Sequence, residues 1–174
     1  MRILAFETSA KAASAALLEE DVLLGEFYLN CGQTHSRTLM RMAEELLENC
    51  ALTPADVTAV ACAAGPGSFT GVRIGVAAAK GFAWGRELPC VGVSTLEAMA
   101  YSAQCFVGVI CCAMDARRSQ VYNALFECSG GVISRLTPDR AISIEELGKD
   151  LQKIEKPKIM VGDGALLCYN TLGK

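Results

Sequence analysis

Three short apolar runs separated by polar turns open the chain, at residues 2–6, 12–18 and 22–29. Each run has the length of a β-strand, and the connections between them are short enough for hairpins. The pattern therefore predicts an antiparallel β-meander at the start of the chain.

Residues 35–50 repeat apolar side chains at helical spacing. Leu39, Ala43, Leu46 and Cys50 form one stripe, and Met40 and Leu47 widen it. A stripe of this width is typical of a helix that packs on a core.

Strands and helices alternate in the next segment. We predict a strand at residues 57–64, a helix that ends near Trp84 before Gly85, and a strand at residues 90–93. Thr53 followed by Pro54 marks a helix start, and Ser94 is placed to cap a further helix.

The second half of the chain repeats this order of elements. Two paired strands are predicted at residues 105–114 and 120–127. Ser143 and Glu146 have the spacing of a capping box, which predicts a helix from there to about residue 153. A strand at residues 158–161 follows, and the pattern predicts no closing helix after it. The whole order indicates two α/β lobes built alike.

A glycine-rich segment, GPGSFTGVRIG at residues 65–75, joins the predicted strand to the helix that ends near Trp84. Backbone N–H groups in such a turn bind anions or allow close packing, and the sequence leaves both interpretations open. The next strand supplies no acidic residue for a ribose, and no Gly-Lys-Ser/Thr follows the glycines. These differences argue against dinucleotide-binding and Walker A sites.

The helix after this segment carries a small residue at every fourth position, at Gly71, Gly75, Ala79 and Ala83. Such a ridge lets a second element approach closely. Glycine inside a helix costs about 0.5–1 kcal/mol relative to alanine, so two glycines need a packing reason. The ridge fits either the protein's own core or a partner helix.

Composition and charge narrow the function classes. Of 174 residues, 52% are hydrophobic and 20% are charged, which is typical of a globular protein. A formal net charge of −3 does not provide the positive surface that independent nucleic-acid binding requires. Glu7 interrupts the first apolar stretch, so no signal peptide is indicated, and we expect a cytoplasmic protein with no membrane partner. Most of the nine cysteines are then expected to be small, reduced core residues.

Candidate chemistry is limited by the single histidine, His35. One histidine excludes zinc sites built from several histidines, and Ser68 lacks the Gly-x-Ser-x-Gly context of a hydrolase nucleophile. The turn at Glu7-Thr8-Ser9 resembles the phosphate-binding hairpin of actin-like and sugar-kinase-like ATPases. An ordinary polar turn explains the same residues.

Five segments occur in an order that is specific when they are taken together. They are FETS at residues 6–9, QTHSR at 33–37, the glycine-rich segment at 65–75, GVSTL at 92–96 and MDAR at 114–117. Together they resemble the bacterial TsaB (YeaZ-type) family of tRNA threonylcarbamoyladenosine biosynthesis, over nearly the whole chain. Glu7 stands where many members carry Asp. The chain also ends earlier than members usually do.

The resemblance implies an actin/Hsp70/sugar-kinase-like α/β fold, a ribonuclease H-like duplication of two lobes with mixed sheets. We expect the lobes at residues 1–98 and 99–174, the second incomplete at its C-terminal end. The catalytic paralogue, the TsaD-type protein, carries a His-x-x-x-His metal pair where this chain has Thr95 and Met99. Neither side chain replaces imidazole in a hard-metal site, so we expect no catalytic residue and no metal.

The resemblance therefore implies an accessory scaffold and not an enzyme. It would support the TsaD-type paralogue in a threonylcarbamoyltransferase complex, with a TsaE-type ATPase joining through the complex and tRNA contacted only indirectly. Alone, the chain is expected to form a homodimer. We predict the partner and dimer interface on the helices at 35–50 and 70–84, through His35, Leu39, Met42, Ala43, Leu46, Gly71, Val72, Gly75, Val76 and Ala79.

Two alternatives remain open from the sequence. An actin-like ATPase acting alone would bind nucleotide through Glu7, Thr8, Ser9, Asp115, Gly162, Asp163 and Gly164. We expect no tightly bound cofactor in the isolated chain, and ATP or ADP only in the assembled complex. A peptidase would have to depend on His35, and the sequence offers it neither a metal constellation nor a nucleophile elbow.

Overall fold

The computed structural model describes residues 1–173, and the chain divides between Val93 and Ser94 into two compact units, which we call unit 1 and unit 2. The helix that begins at Thr95 therefore belongs to unit 2, whereas the predicted lobe boundary lay between residues 98 and 99. No helix in residues 1–173 is long and apolar enough to cross a membrane.

Unit 1 is a mixed sheet with two main helices. Its elements are β1 (Arg2–Glu7), β2 (Ala13–Glu19), β3 (Val22–Leu29), α1 (His35–Asn49), β4 (Ala59–Gly65), α2 (Phe69–Trp84) and β5 (Cys90–Ser94). The strand order is β3-β2-β1-β4-β5. The first three strands pair antiparallel, which confirms the predicted meander, and β4 pairs parallel to β1.

The core of unit 1 lies where α1 and α2 cover this sheet. Leu4, Leu17 and Val60 from the strands are buried together with Leu39 and Leu46 of α1. The predicted α1 stripe is wrong in one place. Met42 is buried and Met40 is 44% exposed, because Met42 follows Leu39 by three residues and stays on its face, whereas Met40 is rotated by about 100°.

Unit 2 is a second mixed sheet with three helices in residues 94–173. Its elements are α3 (Thr95–Tyr101), β6 (Gly108–Arg117), β7 (Gln120–Ser129), β8 (Val132–Arg135), β9 (Arg140–Ser143), α4 (Ile144–Gln152), β10 (Lys158–Val161) and α5 (Ala165–Leu172). The strand order is β10-β6-β7-β8. Strand β9 also pairs with β7, along the first residues of β7, whereas β8 pairs with its last residues. Antiparallel β6 and β7 form the centre, and β10 runs parallel to β6.

Unit 2 also shows what the pattern missed. Strands β8 (VISR) and β9 (RAIS) have four residues each, of which only two are apolar, whereas the equally short β10 (KIMV) has three apolar residues in a row. The prediction that no helix follows residue 161 is wrong, because α5 closes the described chain. Cys168 is its one buried residue, so α5 lacks the broad apolar stripe that identifies a helix in sequence. Helix α5 packs on α4 at Gly148, where an added Cβ would lie 2.5 Å from the Leu172 side chain.

Candidate functional site

The glycine-rich segment is a packing corner in unit 1. The Ser68 hydroxyl accepts a hydrogen bond from the Gly71 N–H at 3.2 Å and caps α2. The Ser68 N–H donates to the Ser9 carbonyl at 2.7 Å, which ties the corner to the turn between β1 and β2. A Cβ on Gly67 would lie 2.6 Å from that same carbonyl oxygen. Glycine is needed here because two backbone segments meet.

Thr8 occupies the small-residue ridge of α2. Its hydroxyl donates to the Gly71 carbonyl at 2.8 Å, and the residue is 1% exposed. A Cβ on Gly71 would lie 2.1 Å from the Thr8 carbonyl oxygen, and a Cβ on Gly75 would lie 2.4 Å from the Thr8 Oγ1. The glycine end of the ridge therefore packs on the turn that follows β1 in the protein's own unit 1, which favours the own-core interpretation over a partner helix.

This packing corrects the predicted interface. Seven of the ten residues are buried in unit 1 itself: Leu39, Met42, Ala43, Leu46, Gly71, Gly75 and Ala79. His35, Val72 and Val76 are half-buried. Buried side chains cannot contact a partner without opening the core. Partner contact through α1 and α2 stays a prediction, but it has to use their outer faces.

The outer face of α2 carries a row of exposed residues, which we call the α2 outer stripe: Phe69, Arg73, Ala77, Lys80 and Trp84. Their spacing keeps them within one side of the helix. Phe69 is 73% exposed and Trp84 is 87% exposed. The Arg73 guanidinium lies 3.3 Å from the centre of the Phe69 ring, a cation–π contact at the surface. The spacing alone could have identified this stripe, since it lies opposite the small-residue ridge.

An apolar groove lies between α1 and α2. Its volume is about 580 Å³, and its apolar lining includes Met40, Leu47, Leu52 and Phe82. Glu44, Glu48 and Arg86 also line it. The groove gives the two helices a concave apolar surface on the side where Met40 is exposed.

His35 anchors the start of α1. Its Nε2–H donates to the Ala10 carbonyl at 2.9 Å, because a carbonyl only accepts. It also lines a second groove of about 360 Å³, with Lys11, Ser68 and Thr70 among its neighbours there. The hydrogen bond gives the only histidine a structural role in unit 1.

The residues predicted to contact nucleotide fall in both units. In unit 1, most of them already make hydrogen bonds within the unit. Thr8 is bound to α2 as described above. Ser9 is 2% exposed, and its N–H donates to the Glu7 carboxylate. The Glu7-Thr8-Ser9 turn is thus the polar turn that satisfies its own backbone.

In unit 2, Asp115 and Asp163 lie close together at the ends of β6 and β10. The Asp115 N–H donates to Asp163 Oδ1 at 3.2 Å, and the Gly164 N–H donates to the Ala113 carbonyl at 3.0 Å. Gly162 has φ +108, and a Cβ there would lie 2.2 Å from the Ala113 carbonyl oxygen. Both aspartates keep their side chains exposed, so their predicted nucleotide contact stays a prediction.

Thr95 and Met99 lie one turn apart on α3 in unit 2. Thr95 is 4% exposed, and its buried hydroxyl has no hydrogen-bond partner in residues 1–173. A Cβ on Gly162 would lie 2.7 Å from the Met99 sulfur, so Met99 packs against the end of β10. Within the same residues, no group of three or more His, Cys, Asp or Glu side chains is placed to hold a metal ion.

Comparison with known proteins identifies relatives of the chain. A TsaB protein from Bacillus subtilis is 36% identical over 93% of this chain and 71% of its own length. This chain belongs to the TsaB family. The Escherichia coli TsaB is 35% identical over 94% of this chain and 72% of its length. Both relatives are named tRNA threonylcarbamoyladenosine biosynthesis proteins.

Two further comparisons agree with this membership of the TsaB family. The family model of TsaD, tRNA N6-adenosine threonylcarbamoyltransferase, matches residues 30–165. The structure of YeaZ from Pseudomonas aeruginosa superposes with a TM-score of 0.75 and 31% identity, covering 81% of this chain and 67% of that one. The predicted α/β fold of two units with mixed sheets is therefore confirmed.

Proposed function

We propose that this chain is a non-catalytic component of tRNA threonylcarbamoyladenosine modification, and that it binds and supports a TsaD-type transferase. The names of its TsaB relatives support the tRNA-modification role. One observation carries the partner-binding role, namely the exposed α2 outer stripe with an aromatic residue at each end.

The stripe has the chemistry of a partner surface. Aromatic and arginine side chains dominate the binding energy of many interfaces, and Phe69, Arg73 and Trp84 supply both kinds. Ala77 between them lets a second helix approach closely. The TsaD family model matches a region that includes both α1 and α2. A transferase of that family with the same two helices would pair with this chain in a nearly symmetric way, and so would a second copy of the chain.

The proposed lack of catalysis rests on α3. Where the resemblance implies a histidine pair in the transferase, this chain has a buried Thr95 hydroxyl and the Met99 thioether. A thioether is a soft ligand and a lone hydroxyl is a weak one, so these residues do not fit a hard metal ion.

Nucleotide and tRNA enter this proposal only through the complex. Thr8 and Ser9 are buried at 1% and 2% exposure, so a phosphate would reach them only by displacing α2 or the glycine corner. ATP or ADP is therefore expected in the assembled complex, where a TsaE-type ATPase joins. With a net charge of −3, the chain relies on its partners to contact tRNA.

Size-exclusion chromatography with light scattering tests the surface. The chain alone should be a homodimer and should convert to a 1:1 heterodimer with the TsaD-type protein of the same organism. Trp84→Glu should weaken both associations by more than about tenfold, since it places a charge where a buried aromatic anchor is needed. The matched control is Tyr169→Glu on α5. Like Trp84, Tyr169 is an exposed aromatic residue on a helix, with 73% of its surface exposed.

Two results would contradict the proposal. Unchanged association of Trp84→Glu would remove the α2 outer stripe from the interface. The actin-like ATPase would be favoured instead if the wild-type chain stays monomeric, does not bind the transferase, and binds and hydrolyses ATP with magnesium.

A further inference from the structure

The apolar groove between α1 and α2, which we call the α1–α2 groove, has one acidic edge. Met40, Glu44 and Glu48 follow one another at four-residue spacing on α1, and all three line the groove. This spacing keeps them on one side of the helix, and all three are exposed. The groove thus combines an apolar floor with two carboxylates at its α1 side.

The charges that line the groove differ in how they are paired. Arg86, just after α2, is the basic residue of the lining, and its Nη2 donates to the Val57 carbonyl at 3.3 Å. Its guanidinium also lies 5.9 Å from the centre of the Phe82 ring. Glu44 and Glu48, by contrast, form no ion pair within residues 1–173. Both carboxylates are therefore available to a cation from outside the chain.

The α2 outer stripe has the complementary chemistry. Its charged members, Arg73 and Lys80, are both basic, and it contains no acidic residue. Trp84 at its end is the only tryptophan of the chain and is 87% exposed. The groove volume of about 580 Å³ lies within the range of roughly 300–1,000 Å³ that encloses drug-sized ligands, so it has room for an indole ring.

We propose that the α1–α2 groove receives the α2 outer stripe of a second copy of this chain. Trp84 of each copy fills the groove of the other, and Lys80 lies against the edge formed by Glu44 and Glu48. A twofold axis repeats both contacts, because an isologous interface uses the same patch on both copies. This inference rests on the homodimer of the proposed function and names what the stripe contacts in it.

The single tryptophan provides a test that needs no substitution. When the wild-type chain is diluted from dimer to monomer, Trp84 emission should shift to longer wavelength and acrylamide quenching should increase, because the indole leaves an apolar groove for water. Equal quenching in dimer and monomer would overturn the inference. Protection of Trp84 only after the TsaD-type transferase is added would also overturn it, since the groove would then not take a second copy.

Charge reversal tests whether the groove is the surface that receives the stripe. The stripe variant carries Arg73→Glu and Lys80→Glu, and the groove variant carries Glu44→Lys and Glu48→Lys. Each variant alone should dimerise about tenfold or more weakly than wild type at low ionic strength, since like charges then meet at both contacts. Mixed one to one, the two variants should form the mixed dimer in preference to either homodimer, because both contacts again join opposite charges. Native mass spectrometry measures the three dimers.

Glu45→Lys is the matched control on the same helix. Glu45 is also exposed on α1 but lines a different groove, so its reversal should leave dimerisation unchanged. If the two charge-reversed variants show no preference for each other, the groove is not the receptor. The α2 outer stripe and the proposed function stand in that case if Trp84→Glu still weakens the dimer, and the stripe itself is refuted if Trp84→Glu has no effect.

Discussion

Gly71 shows how one missing side chain determines what α2 meets. Its Cα faces the Thr8 carbonyl so closely that a Cβ would lie 2.1 Å from that oxygen. A backbone atom cannot move away as a flexible side-chain end can. Gly71 therefore serves the contact with the turn that follows β1, and enlarging it should damage the monomer before it affects any assembly.

Gly71→Ala should destabilise the chain by about 1–3 kcal/mol, the usual cost of forcing atoms into a packed site. The measurement is the midpoint of urea unfolding followed by circular dichroism. Gly81→Ala is the matched control on the same helix, since a Cβ at Gly81 meets nothing within 4 Å. The control should gain about 0.5–1 kcal/mol from the better helix former. Equal shifts in the two variants would refute the close packing at Gly71.

At the scale of the element, a side-chain cap closes the first turn of α4. The Ser143 hydroxyl accepts from the Glu146 N–H at 3.2 Å, and the Glu146 carboxylate accepts from the Ser143 N–H at 3.4 Å. By contrast, Thr34 at the start of α1 makes no side-chain capping bond. Both helices bury apolar residues, so they differ at their starts: α4 has a reciprocal side-chain cap and α1 has none.

Ser143→Ala should therefore cost about 1 kcal/mol, the typical loss of a helix cap. Thr34→Ala should cost clearly less, because no capping bond is lost. Urea unfolding of both variants beside wild type provides the comparison. If the two losses are equal, or their order is reversed, the bond across the start of α4 does not stabilise the fold as described.

At the scale of the whole molecule, the proposed function predicts a cellular result that no single element provides. In its own organism with the native gene deleted, the wild-type chain should restore threonylcarbamoyladenosine in bulk tRNA. Trp84→Glu should restore much less, because it weakens assembly with the transferase, and Tyr169→Glu should act like wild type. Nucleoside mass spectrometry of digested tRNA measures the outcome.

The same experiment distinguishes a wrong partner surface from a wrong assignment of the role in tRNA modification. If Trp84→Glu restores the modified nucleoside fully, the partner surface lies elsewhere while the role in modification stands. If wild type restores none although it is expressed and folded, the proposed role itself is refuted.

The sequence by itself determined the types of most elements, the family and the start of nearly every helix. Period and capping are local properties, so the meander, the Ser143–Glu146 box and strand β10 could be read within a few neighbouring residues. Short strands β8 and β9 and helix α5 were missed because their local signal is weak and their partners are distant in sequence.

Only the tertiary structure decided what each face meets. Helical spacing shows that Gly71 and Gly75 share a face, but Thr8, 63 residues before Gly71, decides that this face is inside. A pattern along one chain specifies which residues lie together on an element. The contact between elements depends on packing between segments that the local pattern does not relate.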